Sequence, residues 1–234
     1  GVAVLLSLGG LAPGAAAGWT AQLGLTGVAF AGAVLGVVMT LLLARGVQQT
    51  LRLLLAGVIV GMVLGALAAL VLFRFPDAMR GMQAFLLGTT GFIAWDGVRL
   101  LAAVLVLSLF GGLVLARALD ALALGEATAA SLGVALGRVR VLLVGIVALA
   151  TGAAVAQVGL IAFVGLVAPH LVRTAVRPTH RTLLPLSALA GGALLLAADI
   201  GGRWLLAPQE LPVGALTAVL GGGYLLWLMH RRPA

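Results

Sequence analysis

The chain reads as a series of long apolar runs separated by short polar segments that carry arginine. Uncharged apolar runs cover about 1–18, 21–44, 53–73, 100–116, 141–169, 183–198 and 211–229. About 20 residues at 1.5 Å each cross the roughly 30 Å hydrocarbon core of a bilayer, so most runs cross once. The runs are continuous rather than alternating, which predicts helices and not a barrel. The expected fold class is therefore all-α, a polytopic membrane helix bundle. Pro13 and Gly14 interrupt the first run, which predicts a partial helix followed by a turn.

One run does not fit a single crossing. Between Arg140 and His170 lie 29 uncharged residues, about 44 Å as one helix, too long for one span and too short for two. Charge placement arbitrates. A single crossing divides the 14 arginines eight against six, which is no bias. A turn back within residues 155–165 places ten on one face: Arg45, Arg52, Arg117, Arg138, Arg140, Arg173, Arg177, Arg181, Arg231 and Arg232. Arg74, Arg80, Arg99 and Arg203 remain opposite. The positive-inside rule selects the second arrangement and makes the crowded face cytoplasmic, with the C-terminus there. In "GLIAFVGLVAPHLVR" (Gly159–Arg173), Gly159 and Gly165 are expected to let the backbone turn or pack closely, and Pro169 to disturb the last turn of a short returning helix.

The loops then sort by side. "RFPDAMRGMQ" (Arg74–Gln83) and "GGRWLLAPQELP" (Gly201–Pro212) lie outside. "ARGVQQTLR" (Ala44–Arg52), "RTAVRPTHR" (Arg173–Arg181) and the long segment Arg117–Arg140 lie inside. Within that last segment Leu119, Leu122, Leu124, Ala127, Ala130 and Leu132 repeat at helical spacing. Asp120 and Glu126 punctuate them, and Gly125 and Gly133 break them. A short helical hairpin at the membrane surface fits.

Composition narrows the chemistry. Residues AVILMFWYC make up 63% of the chain and charged residues 9%, more apolar surface than a water-soluble core of this length hides. There is no cysteine, which excludes disulfides and thiolate metal sites. Every basic residue counted among the 14 is arginine, so a Walker A lysine and Schiff-base chemistry are excluded. The charge of +8 is dispersed at the ends of apolar runs, a pattern of membrane orientation rather than of nucleic-acid binding. The chain starts at Gly1 inside an apolar run with no basic segment before it, which argues against a signal peptide and leads us to expect further residues upstream.

Candidate functional residues are few. His170, His180 and His230 are scattered without metal-ligand spacing, and His170 is expected to cap a short helix at the interface. Asp199 is the lone acid within reach of an apolar run, with Arg203 one turn on, where the two can pair. Glu210 and Pro212 resemble a helix start. Gly32-x-x-x-Gly36, Gly57-x-x-x-Gly61 and Gly61-x-x-x-Gly65 allow close helix contact, within one subunit or in a dimer seam. No paired Ser/His or carboxylate set marks an intramembrane enzyme.

Several segments carry a family resemblance. "GLIAFVGLVAPHLVR" and "HRTLLPLSALAGGALLLAADIGGRWLLAPQELPVGALTAVLGGGYLLWLMHRR" resemble the C-terminal half of permease subunits of the iron-siderophore, haem and cobalamin ABC importers. "LALGEATAASLGV" resembles that family's cytoplasmic loop, "LRLLLAGVIVGMVLGAL" its fifth helix, and "WDGV" after "LLGTTG" a region with a similar tryptophan. The likeness covers nearly the whole chain. It implies one transmembrane permease domain over 1–234 with about eight transmembrane or partial helices, equivalent to helices three to ten of a ten-helix permease, the first two lacking.

The resemblance also implies partners. A second permease subunit would complete a central pathway as a homodimer, with two cytoplasmic ATPase subunits and a periplasmic substrate-binding protein, in the bacterial inner membrane. The chain itself would be no enzyme and would bind no cofactor or metal, ATP-Mg residing on the ATPase. Leu122, Leu124, Gly125, Glu126, Ala130, Leu132 and Gly133 map onto the ATPase-coupling loop, at about 118–137. Gln49, Thr50 and Leu51 match positions near the cytoplasmic gate. Arg203 matches a binding-protein docking region, and Arg74 and Arg80 could assist by charge. Gly165, Pro169, His170, Arg173, Glu210 and Pro212 form the family-like structural motifs. The competing reading is a secondary carrier or facilitator that works without ATPases.

Overall fold

The computed structural model describes residues 31–32, 34–36, 38–40, 42–43, 50–75, 79–91, 93–176, 178–205 and 211–231. The described residues are helical apart from short turns. From Thr50 onward the helices are α1 (Thr50–Arg74), α2 (Met79–Leu87), α3 (Trp95–Val114), α4 (Ala116–Ala123), α5 (Glu126–Ser131), α6 (Leu136–Val158), α7 (Val164–Ala175), α8 (His180–Leu205) and α9 (Val213–Arg231). α3, α6, α8 and the stretch Leu55–Arg74 of α1 are long and apolar enough to cross a membrane. The polytopic all-α fold is thus the observed one. Pro13, Gly14, Gln49 and Glu210 lie outside the described residues.

Apolar packing orders the bundle. α3 and α6 run antiparallel: a Cβ on Gly97 would meet the side chain of Gln157 at 2.6 Å, and one on Gly111 would meet Ile146 at 2.8 Å. α8 lies against α3 through Leu184, 3.2 Å from where a Gly112 Cβ would stand. Large apolar side chains such as Met62, Phe110 and Leu189 remain exposed around the outside, as expected where lipid or a neighbouring subunit is the solvent. Of the small-residue motifs, Gly36 approaches Leu64 and Gly57 approaches Thr40, while Gly32, Gly61 and Gly65 face open space. Among the described residues, the motif therefore serves contacts within this chain on one part of α1, and none of them covers Gly61 or Gly65.

The long apolar run is broken where the arginine distribution requires. α6 ends at Val158, residues 159–163 are not helical, and α7 starts at Val164. Two residues there have positive φ: Gly159 (φ 74, ψ −156) and Phe163 (φ 66, ψ −22). At Gly159 a side chain would also fall on the carbonyl oxygen of Phe85, so conformation and space both require glycine. Backbone hydrogen bonds fasten this corner. Leu160 N–H donates to Phe85 O, Thr89 N–H to Val158 O, both 2.9 Å, and Gly214 N–H to Gly88 O, 3.2 Å.

The return is fixed by what the far ends touch. The α6 N-terminus follows the α4–α5 segment, and α6 carries the chain about 34 Å away from it. After α7, His180 is back in direct contact with Asp120 of α4. A chain that crossed once could not close that contact. α7, at 12 residues or about 18 Å, starts at mid-depth, where Gly191 of α8 meets Val164 and Ala168. A helix starting at that depth is tolerated because α8 and α9 flank its first turn: Phe163 also packs on Gly221, where a Cβ would clash with the Phe163 Cβ.

Four expectations need correction. Residues Met79–Gln83 belong to α2 and not to a loop, because Phe85, Leu86 and Leu87 extend the apolar pattern past Gln83. Gly201–Leu205 continue α8, since Asp199 and Arg203 pair along the helix and need no water-filled loop to satisfy them. The turn depends on Gly159 and Phe163, whereas Gly165 is helical; Pro169 sits mid-α7 and the helix continues to Ala175. The hydrogen bond lost at Pro169 is the one to the Gly165 carbonyl, and no neighbouring side chain crowds Gly165. His170 caps nothing. It lies within α7, its ring edge-on to Tyr224 at 6.0 Å, with Nε2 buried and without a hydrogen-bond partner among the described residues.

Candidate functional site

The hairpin anticipated between Arg117 and Arg140 is present as α4 and α5. α4 ends with Gly125 N–H donating to Leu122 O, Gly125 itself at φ 107. α5 ends in a Schellman arrangement: Val134 N–H donates to Ala129 O and Gly133 N–H to Ala130 O, with Gly133 at φ 80. Glycine at both C′ positions lets two helices of eight and six residues reverse within a short span.

The two faces of the hairpin differ. Ala116, Ala121 and Ala129 are buried, small residues that let it lie close against the bundle. Leu124 and Leu132 are 69% and 64% exposed, and Gly125, Glu126, Ala130 and Gly133 are exposed with them, Leu122 being half-buried. One exposed leucine therefore stands at the end of each short helix, on the face turned away from the bundle.

Two polar contacts anchor the hairpin. Glu126 pairs with Arg140 at the start of α6; both are more than half exposed, so the pair is worth at most about 1 kcal/mol. The second contact joins residues 60 positions apart. Asp120 Oδ1 accepts the backbone N–H of His180 at 3.0 Å and lies 2.6 Å from its Nδ1. The carboxylate thereby caps the first turn of α8 from a different element. Donation from the His180 backbone, then from its ring, holds the Asp120 carboxyl below its ordinary value of 3.8. Movement of the hairpin is in this way tied to α8, and through the α7–α8 packing to the half-length helix.

The opposite face carries a second polar group. Asp199 and Arg203 pair as anticipated, Arg203 Nε donating to Oδ2 at 2.9 Å. Thr90 Oγ1 donates to Asp199 Oδ1 at 2.5 Å, joining α8 to the turn before α3. Arg74 lies over the Phe75 ring at 5.5 Å, and Arg80 falls within α2, which leads to the same corner. Thr50 and Leu51 open α1. Pro212 immediately precedes α9 and its carbonyl accepts Leu216 N–H. Arg173 is exposed in the last turn of α7. Asp120, His180, Thr90 and Phe163 are the residues sequence reasoning did not single out for a role, because each acts through a partner distant in sequence. No group of His, Cys, Asp and Glu suited to a metal ion occurs among the described residues.

Comparison with known proteins places this geometry. Residues 1–231 match the FecCD transport family. The chain belongs to that family. Among FecCD-type relatives, the hemin transport system permease protein HmuU of Yersinia pestis is 40% identical over 182 residues, 77% of this chain and 54% of that protein. The cobalamin import system permease protein BtuC of Halobacterium salinarum is 38% identical over 236 residues, 97% of this chain and 63% of the relative. The Fe(3+) dicitrate transport system permease protein FecD of Escherichia coli is 37% identical over 206 residues, 87% and 64% respectively. A solved structure described as an inward-facing conformation of a metal-chelate-type ABC transporter superposes with a TM-score of 0.75 at 26% identity, over 90% of this chain and 72% of the other. The chain thus spans a little over half to about two thirds of the length of these relatives, and it is a multi-pass membrane protein of the FecCD family.

Proposed function

We propose that this chain is the membrane pathway segment of an ATP-driven importer that moves an iron-siderophore, haem or cobalamin-type metal chelate into the cytoplasm by alternating access. In this reading the arginine-rich face is cytoplasmic, a second permease subunit completes the pathway, and α4–α5 docks into one of two ATPase subunits. Arg203, with Arg74 and Arg80, faces the substrate-binding protein outside. ATP binds to the ATPase and not to this chain.

The observation that carries the reading is the hairpin itself: a surface element with exposed Leu124 and Leu132, backed by buried alanines and bonded to the first turn of α8. Such an element can receive a push from a soluble partner and pass it to helices that shift between two states. ATP binding to that partner supplies the several kcal/mol needed to move a two-state equilibrium.

Reconstitution of the permease with its ATPase and binding protein tests this. Deleting Leu124–Leu132, or replacing Glu126→Arg, should uncouple ATP hydrolysis from chelate uptake while the membrane helices stay folded. Wild-type uptake after the deletion would refute the coupling role.

A further inference from the structure

The structure holds a cleft lined by residues to which the proposed function gives no role, apart from Asp120. It lies on the arginine-rich face where α3 ends, α4 begins and the chain enters α8, with a volume of about 590 Å³. Its floor is apolar, formed by Phe110, Leu113 and Val114 of α3; its upper wall carries Arg117, Thr179 and Arg181. Phe110 and Val114 are 66% and 65% exposed, on a helix whose composition suits a membrane span. The cleft is thus greasy at the depth of acyl chains and cationic at the depth of headgroups.

Charge defines the occupant. Neither Arg117 nor Arg181 makes an ion pair among the described residues. The one acid in the lining, Asp120, is held through Oδ1 by His180 and makes no ion pair with either arginine, so two guanidinium groups face one carboxylate and the cleft keeps a net positive charge. Two open guanidinium forks match a phosphate, and the apolar floor extends the match to the chain beneath it. We propose that this cleft is a binding site for an anionic phospholipid of the surrounding leaflet, its phosphate on Arg117 and Arg181 and one acyl chain along Phe110 and Val114. A free phosphate would have no use for the floor. A bound lipid would bridge α3–α4 to α8 beside the Asp120–His180 contact, so membrane composition would bear on the element that ties the hairpin to α8.

The test is native mass spectrometry of the intact permease in a mild detergent, titrated with phosphatidylglycerol and with phosphatidylcholine of the same acyl chains. A basic residue near an anionic surface contributes about five-fold in affinity, so Arg117→Gln with Arg181→Gln should weaken phosphatidylglycerol binding about thirty-fold. Arg138→Gln with Arg173→Gln removes the same charge from the same face outside the cleft and should leave binding within two-fold. Inorganic phosphate should not displace the lipid. Equal losses in the two double variants, equal retention of phosphatidylcholine, or displacement by inorganic phosphate would each overturn the proposal. A benzophenone amino acid in place of Phe110 gives an independent reading in the assembled transporter without altering either arginine. A photoadduct of lipid mass supports the site; an adduct to another polypeptide segment refutes it.

Discussion

Replacing Gly159→Ala attacks the corner on which the topology turns. Gly159 has φ 74 and ψ −156, a region closed to other residues, and holding alanine there costs about 1–3 kcal/mol. The new Cβ would also fall on the Phe85 carbonyl oxygen, which now accepts Leu160 N–H at 2.9 Å. Losing that hydrogen bond adds about 0.5–1.5 kcal/mol. The two contributions are linked through one displacement, so a combined loss of ~2–4 kcal/mol is expected. Denaturant titration of detergent-purified protein, followed by the change in helical circular dichroism, measures it. Gly145→Ala is the internal reference: Gly145 is within α6 with nothing near its Cβ position, and alanine there should be neutral or stabilising by up to about 1 kcal/mol. A Gly159→Ala protein as stable as the Gly145→Ala protein would refute the reasoning about this turn.

Three further outcomes follow from the same geometry. Gly221→Ala should separate α7 from α9, because its methyl would overlap Phe163; the overpacking costs about 1–3 kcal/mol, read in the same titration, and an unchanged midpoint would contradict the contact. The Asp120 carboxyl is lowered in the folded state, so its contribution is fully present above pH 3.8 and is lost as the pH falls through the lowered folded value. Asp120→Asn should therefore be less stable than wild type at pH 7, with the gap closing only in acid below pH 3.8; a gap that closes between pH 7 and 5 would assign the effect to another group. On the proposed docking of a substrate-binding protein at this face, Arg203→Glu should weaken that association by about ten-fold at low salt and much less above physiological ionic strength; a salt-independent loss would point instead to disruption of the Asp199 pair.

Much of the fold was legible because the bilayer imposes a simple code. Run length and arginine placement located α1, α3, α6, α8 and α9, and the excess of arginine on one side demanded a reversal that no local propensity revealed. The spacing of Leu119, Leu122, Ala127 and Ala130, interrupted by Gly125 and Gly133, gave the hairpin. Positions governed by tertiary contact were not legible. Phe163 adopts a left-handed conformation because its ring is seated against Gly221 and Gly222, and nothing in "AFVG" announces this. Pro169 reads as a helix breaker, yet α7 carries it in its interior. Asp120 and His180 each look like an isolated interfacial polar residue, and their contact across 60 positions emerges only once the chain has doubled back.

That reversal is most directly tested by single-cysteine labelling in oriented membrane vesicles with an impermeant thiol reagent, since this chain contains no cysteine. Leu132→Cys, Thr174→Cys and His230→Cys should react from one side, and Gly91→Cys and Trp204→Cys from the other. Reaction of Thr174→Cys from the side of Trp204→Cys would mean that α6 and α7 cross as one helix, and the proposed ATPase-facing surface would be lost.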